Sequence, residues 1–370
     1  MIPNQDRESQ EPPIWLEPVR GGLPDRSVLG LSGLEQIRAY IDRKVSPPPI
    51  HHLTGMRPTA ASPDSATFVM PATPWLLSPP GYVSLGALAM VADAGVGSAI
   101  QVGLPPATPY TTSDLSLAFI RPVRADGGVL AARGRLIHGG RSLGVADALI
   151  EDGAGRPVAH CTTRCFVLPS IDPPPDPPDR LEPVTPATYD TPDPYQRPAA
   201  GEPLGQDVWD RMTGLEVMRA LAAGDLPRPP ITHLTGLWPV DFDEGRATFA
   251  IPCTAWLCNP TGYVQGGVIA LLADTVLAAA VQTTVGRRTA YSPLDLKVNF
   301  LRPVLPDGRE LVGSATVVHR GRSMAVARAD IENAEGKPVA VSTGTALIRK
   351  GHPWRPEEPR ALEIEMPEPD

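Results

Sequence analysis

Residues 84–103 read SLGALAMVADAGVGSAIQVG, and residues 265–284 read QGGVIALLADTVLAAAVQTT. Both are alanine-rich and apolar around nearly the whole helical circumference, which predicts helices buried on all sides rather than lying on a surface. Each carries one acidic residue, Asp93 and Asp274, and these are 181 positions apart. The same shift relates Gly33-Leu34-Glu35 to Gly214-Leu215-Glu216 and His52-Leu53-Thr54-Gly55 to His233-Leu234-Thr235-Gly236. It also relates Phe119-Ile120-Arg121-Pro122-Val123 to Phe300-Leu301-Arg302-Pro303-Val304 and Arg141-Ser142 to Arg322-Ser323. A period this long lies far above the roughly 20–50 residues of solenoid repeats, so each copy is a whole domain. The chain reads as a fused duplicate, an internal pseudo-dimer that leaves open a further homodimer of two chains.

Around each buried helix the pattern is the same. An amphipathic helix (Gly33 to Lys44; Gly214 to Ala223) precedes a short strand that ends near a proline (Thr67 to Met70; Thr248 to Ile251). A glycine-containing loop leads into the buried helix, and four strands follow it. In the second copy these are placed at Asp295–Arg302, Arg309–His319, Ser323–Asn333 and Pro338–Arg349, divided by Pro-Asp-Gly, Arg-Gly-Arg and Ala-Glu-Gly-Lys turns. One long helix wrapped by an antiparallel sheet of about five strands is an α+β layer architecture. The expected organisation is an N-terminal extension (1–29), repeat 1 (30–169), a linker (170–205), repeat 2 (206–350) and an acidic tail (351–370). No counterpart is expected for the extension, the linker or the tail. The linker, proline-rich in a chain with 46 prolines, is expected to be a semi-rigid spacer that does not fix how the repeats dock.

Composition excludes several classes of function. The 370 residues carry a formal charge of −8, so no overall positive field exists to hold a nucleic acid or an anionic membrane. The four cysteines, Cys161, Cys165, Cys253 and Cys258, form no CxxC pair and have no histidine at ligand spacing, which argues against a metal site. Cys161 and Cys165 fall on one strand, about 13 Å apart at ~3.3 Å per residue, too far to bridge. Reduced thiols, no apolar segment behind a basic N-terminus and no run of ~18 apolar residues together lead to the expectation of a cytoplasmic protein outside the membrane.

The chemistry-bearing segment is Asn259-Pro-Thr-Gly-Tyr263-Val-Gln265-Gly266-Gly267 and the helix it opens. At a helix start the first backbone N–H groups have no internal partner, and with the positive dipole end they can bond a carbonyl oxygen as it gains charge. Glycine admits close approach of a substrate. Asp274 and Asp93 follow the second-glycine position by seven residues, two helical turns, and so share a face with the opening amides. A carboxylate buried among Leu, Val and Ala is costly unless paired or used. The structural alternatives stay open: either carboxylate tethers the facing helix, Asn259 is a turn residue, and Gln265 is a loop-to-loop hydrogen bonder. Asp114 and Asp295 are read as structural carboxylates closing onto a turn. His52, His233, His138 and His319 are read as structural histidines. No Gly-x-Ser-x-Gly elbow occurs.

With Asn, six residues on a Gly-Gly pair behind a polar residue, and an acidic residue nine after that, the segment resembles the hotdog-fold acyl-CoA thioesterases of the PaaI-like and 4-hydroxybenzoyl-CoA thioesterase-like type. The resemblance extends over both repeats and includes the Asp-Leu-x-x-x-Phe-Leu-Arg-Pro strand. It implies a tandem, double-hotdog fold and a thioester hydrolase acting on acyl-CoA or acyl-carrier thioesters, with coenzyme A as part of the substrate and no other cofactor. In that family a site combines the loop of one subunit with the acid and a Ser/Thr of the other. Carried over, this gives one nearly complete site, Asn259, Gln265 (for the family's His) and Gly266 with Asp93 and Thr112. It also gives one degraded site, Ser78, Ser84 and Leu85 with Asp274 and Pro293. Gly267, Tyr263, Arg320 and Arg322 are the candidate substrate contacts: Tyr263 either packs in its loop or floors an acyl channel, and Arg320 and Arg322 belong either to a solvated hairpin turn or to a site for the phosphates of coenzyme A. Other readings are a non-catalytic acyl-CoA or acyl-chain binding module and a hotdog hydratase or dehydratase. The last wants a catalytic histidine, and neither helix has one.

Overall fold

The computed structural model describes residues 13–351 apart from 127, 173 and 186. The start of the expected N-terminal extension and the acidic tail after Gly351 lie outside the described residues. In the first copy α1 (Gly33–Ile41) and α2 (Pro49–Thr54) precede β1 (Arg57–Ser62), β2 (Ser65–Pro71) and the core helix α3 (Leu85–Gln101). β3 (Tyr110–Phe119), β4 (Val129–Gly139), β5 (Leu143–Glu151) and β6 (Pro157–Val167) follow. The second copy starts with α4 (Gln206–Arg211) and α5 (Gly214–Ala223), continues through α6 (Pro230–Thr235), β7 (Trp238–Asp243) and β8 (Arg246–Pro252), and reaches the core helix α7 (Gly266–Gln282). It ends with β9 (Thr289–Phe300), β10 (Glu310–Arg320), β11 (Met324–Glu332) and β12 (Pro338–Lys350).

The strands form one antiparallel sheet in the order β1-β2-β4-β5-β6-β3-β9-β12-β11-β10-β8-β7. The two halves join at β3 and β9, where Ser116 faces Lys297, its own counterpart. Each copy therefore has six strands, not five. The strands missed by pattern, β1 and β7, are the outermost, and each contains a proline beside an irregularity in its pairing (Pro58/Ala60; Pro239/Asp241). Proline removes a ladder donor and is tolerated on an edge, where it also blunts pairing with other chains.

Local chemistry explains the repeated tripeptides. Ser32 with Glu35, and Thr213 with Glu216, form capping boxes at the starts of α1 and α5. A side chain at Gly33 or Gly214 would drive into the Gln101 or Gln282 carbonyl oxygen at the end of the core helix. Gly55 and Gly236 end α2 and α6 in the left-handed region at φ +73° and +77°.

The core helices α3 and α7 cross on a pseudo-twofold axis. Cβ atoms built on Gly86 and Gly267 would lie 2.6 Å from the Leu271 Cα and 2.4 Å from the Met90 Cα, so only glycine lets the helices approach this closely.

The linker is not a free spacer. The short 3₁₀ turns at Ile14–Leu16 and Pro194–Gln196 are counterparts at a shift of 180, one less than in the bodies of the repeats. Trp256 Nε1 donates to the Glu17 carbonyl at 3.1 Å and Trp75 Nε1 to the Arg197 carbonyl at 2.9 Å, so each arm ties to the opposite repeat. Trp15 packs on Gly236 and Tyr195 on Gly55. Glu17 and Arg197, equivalent positions, pair with each other through two hydrogen bonds of 2.6 and 2.9 Å. A homodimer would set like charges together there. Asp193, also in the linker, receives Arg20 at 2.9 Å and His52 Nδ1 at 3.0 Å. The extension and the linker thus contain a repeated arm, contrary to the expectation that they have no counterpart.

Candidate active site

Two crossings of α3 and α7 make two candidate sites. At the first, α3 presents Asp93 to the start of α7. The Gly267 N–H donates to Asp93 Oδ2 at 3.0 Å. A Cβ built on Gly266 would lie 3.1 and 3.3 Å from the two carboxylate oxygens, so the carboxylate stands over the first turn of the helix. The Gly266 N–H has no acceptor among the described residues. The Thr112 hydroxyl on β3 favours the charged form of Asp93, with Cys165 Sγ 3.9 Å from Thr112 Oγ1. Asp93 is 9 % exposed. Burial pushes its carboxyl up to about 6, against the opposing pull of the Gly267 amide and the Thr112 hydroxyl.

Gln265 is buried at the N-cap of α7. Its Nε2 donates to the Met90 carbonyl at 3.1 Å, one turn from Asp93 along α3, while its Oε1 has no partner among the described residues. It bridges helix to helix instead of loop to loop, and it leaves an acceptor in the site. Asn259 behaves as a turn residue. Its Oδ1 accepts from the Thr261 N–H (2.9 Å), the Thr261 hydroxyl (2.8 Å) and the Tyr263 N–H (3.2 Å). The Tyr263 side chain is exposed.

The second crossing has the same skeleton and different furnishing. The Gly86 N–H donates to Asp274 Oδ2 at 2.8 Å, and burial pushes the Asp274 carboxyl up to about 7. Leu85 stands where the first site has Gly266, and Pro293 where it has Thr112. Ser84 is buried at the N-cap of α3 without a side-chain cap bond, and Ser78 closes its own loop by donating to the Tyr82 carbonyl at 2.8 Å. A cavity of about 640 Å³ opens at this crossing, between the Ser78–Leu85 loop and the core of the second repeat.

The structure decides between the readings at five further positions, Arg320, Arg322, Gly267, Asp114 and Asp295. Arg320 donates to Thr284 Oγ1 at 3.2 Å, beyond the far end of α7, about 25 Å from Gly266 at 1.5 Å per residue. There it lines a recess with Arg287, Arg288 and Lys350. Arg322 is exposed beside that end, on the β10–β11 turn. Gly267 gives its N–H to Asp93 and packs on Met90, so it serves the helix crossing rather than a substrate contact. Asp114 closes across strands, not onto a turn: the Arg164 N–H and guanidinium both donate to it, and Asp295 likewise accepts from the Thr345 N–H.

Sequence reasoning missed Tyr110 and Tyr291. Burial, with Asp93 and Asp274 nearby, raises both phenols. Tyr110 donates to Gln101 Oε1 at 3.3 Å. The signal was available, since the two tyrosines are themselves 181 apart.

Known proteins resemble this chain in sequence and in fold. The profile of the Thioesterase superfamily matches residues 261–340, and that of the Acyl-CoA thioesterase C-terminal domain matches residues 32–167. A Halobacterium salinarum protein named "Putative esterase" is 30% identical over 118 residues, 30% of this chain and 76% of the relative. A Vibrio cholerae protein of the same name is 25% identical over 146 residues, 40% of this chain and 93% of the relative. Among solved structures, an acyl-CoA thioesterase II, TesB2, from Mycobacterium marinum superposes with a TM-score of 0.50 over 83% of this chain and 99% of its own, at 13% identity, a likeness of fold. With a thioesterase profile on each repeat, two core helices wrapped by one joined sheet and an acid from each helix set against the start of the other, the chain belongs to the hotdog-fold thioesterase superfamily, in its tandem form.

Proposed function

We propose that the chain hydrolyses acyl-CoA thioesters at the first crossing, with the site shared between the repeats. The observation that carries this reading is the position of the Asp93 carboxylate over the bare Gly266, whose N–H has no acceptor among the described residues. A thioester carbonyl oxygen placed on that N–H meets the positive end of α7, and the charge it gains on attack is stabilised there. The carbonyl carbon then faces Asp93, which either attacks it directly, forming, as the thiolate leaves, an acyl-carboxylate anhydride that water then splits to the free acid and the carboxylate, or takes a proton from a water that attacks the carbon and expels the thiolate. Both routes need an ionised carboxylate. Thr112 orients that carboxylate and favours its charged form. Gln265 Oε1 is an acceptor for the attacking water. An acyl group on an acyl carrier offers the same thioester and is a second substrate source for the same chemistry.

The test is thiol release from a panel of acyl-CoAs, with acyl-carrier thioesters alongside. The wild-type chain is expected to turn over at least one of them and Asp93→Asn to lose that turnover. Binding of the panel without thiol release would replace hydrolysis with the binding-module reading.

A further inference from the structure

The cavity at the second crossing lies apart from the chemistry assigned to Asp93, and the two copies act as each other's control. Its wall in repeat 2 includes Met218, Leu221, Thr232, Leu237, Phe249 and Leu347. In repeat 1 the positions of Leu221 and Thr232 hold Tyr40 and His51. There the Tyr40, His51 and Phe68 rings pack edge to face, with centroids 6.5 and 6.2 Å apart. Exchange of two rings for a leucine and a threonine leaves a chamber of about 640 Å³, within the ~300–1,000 Å³ range of small-molecule sites.

The reacting groups change in the opposite sense. Leu85 puts a side chain on the helix start that Gly266 leaves bare, and it lines the chamber. Pro293 has no hydroxyl to hold Asp274 as Thr112 holds Asp93. A thioester carbonyl cannot reach the first amide of α3 as it can that of α7. We propose that the Asp274 chamber is a second acyl-chain site, which holds an aliphatic acyl group and does not cleave it. The wall selects an aliphatic chain, because burial of methylene groups is the main gain it offers. The head group stays at the rim, where the exposed Arg121 and Arg349 line the opening. Intact acyl-CoA and the free fatty acid share this chain and are the two sources of the ligand.

The test is photolabelling of the full chain with two probes, a diazirine-bearing hexadecyl-CoA thioether, which has no carbonyl to hydrolyse, and a diazirine-bearing palmitic acid. Labelling by either probe is expected on peptides holding Met218–Leu221 or Leu347, and the stronger probe identifies the source. Leu221→Tyr with Thr232→His, which restores the repeat 1 residues, is expected to cut that labelling at least tenfold. Ala278→Trp, which fills the chamber from α7, gives the same reading if the double variant does not fold. Labelling confined to repeat 1, or unmoved by either variant, overturns the proposal. Absence of cleavage rests on the reading of Asp93 as the reacting acid. Asp93→Asn protein is expected to keep palmitoyl-CoA intact, and thiol release from it overturns the non-cleaving role. A wild-type chain that cleaves nothing would defeat the proposed function while the labelling result stood.

Discussion

At one crossing of α3 and α7 a carboxylate faces a bare glycine and a threonine hydroxyl; at the other, 181 residues away in sequence, an equally buried carboxylate faces a leucine side chain and a proline. The helix amide bound by each acid is equivalent, Gly267 for Asp93 and Gly86 for Asp274, at 3.0 and 2.8 Å. What the skeleton needs is therefore retained in both copies: a short helix crossing and a tied carboxylate. The groups that the proposed reaction uses stand together at one, and a chamber of about 640 Å³ opens at the other. Fusion makes this division possible, since in a homodimer any change at one crossing appears at both. Glu17 and Arg197, equivalent positions that pair with each other, are the same freedom expressed at the arms.

The sharpest way to break the comparison is to neutralise each acid in turn. Asp93→Asn is expected to lower kcat/KM for acyl-CoA by about 10²–10⁴-fold, the usual range for a lost general base, and Asp274→Asn by less than about tenfold. Equal losses would mean two working sites.

Next in size are the glycines. Gly267→Ala pushes a methyl group to 2.4 Å from the Met90 Cα, and backbone must move. Overpacking of this kind costs about 1–3 kcal/mol, read as a lowered urea midpoint. The nearest atoms to an alanine Cβ at Gly266 are those of the Asp93 carboxylate, at 3.1–3.4 Å and not backbone, so Gly266→Ala should lower the midpoint less than Gly267→Ala. Its expected effect is on rate, at least about tenfold. If Gly266→Ala unfolds the chain while Gly267→Ala does not, the roles of the two glycines are reversed.

Protonation sharpens the contrast further. The Asp93 carboxyl must be ionised to act, so kcat/KM is expected to fall on the acid side of about pH 6. Asp274 enters through stability. Its folded value near 7 lies above the ordinary 3.8. Between these limits the folded chain holds a proton that the unfolded chain has lost, and stability falls as pH rises through that window and levels off above it. Asp93, raised to about 6, gives the same slope below that pH, so Asp274→Asn should flatten a melting-temperature profile chiefly between about pH 6 and 7. A profile unchanged by the substitution would show that Asp274 is not held neutral by burial.

The smallest expected effect is that of Thr112→Val. Loss of the hydroxyl removes an interaction that lowers the Asp93 value, so the acid limb of the rate profile should move upward and activity at pH 7 should fall a few-fold. An unmoved limb would separate Thr112 from Asp93.

The acid and its partner helix were legible in the sequence because each copy carries one acidic residue in an otherwise apolar helix, two turns from a glycine. Asn259 was open to two readings because the residue pattern of an Asx-type turn and that of a substrate contact are the same. Arg320 looked like a phosphate ligand because position in the chain does not say which end of a 17-residue helix a hairpin reaches. The edge strands β1 and β7 were hidden by their prolines, a signal that reads as loop until a neighbouring strand is present.

The sequence by itself determined the duplication, the two buried helices, the α+β layering and the asymmetry of the two loops, since these rest on composition, period and a constant shift. Only the tertiary structure decided that each arm crosses to the other repeat, because the shift slips from 181 to 180 there and the match is carried by Trp and Tyr rings against glycines. It alone also decided that a chamber opens at the Asp274 crossing. That depends on whether Tyr40 and His51, or Leu221 and Thr232, meet across an interior assembled from five or more separate elements, and side-chain volume has no consequence until those elements are packed.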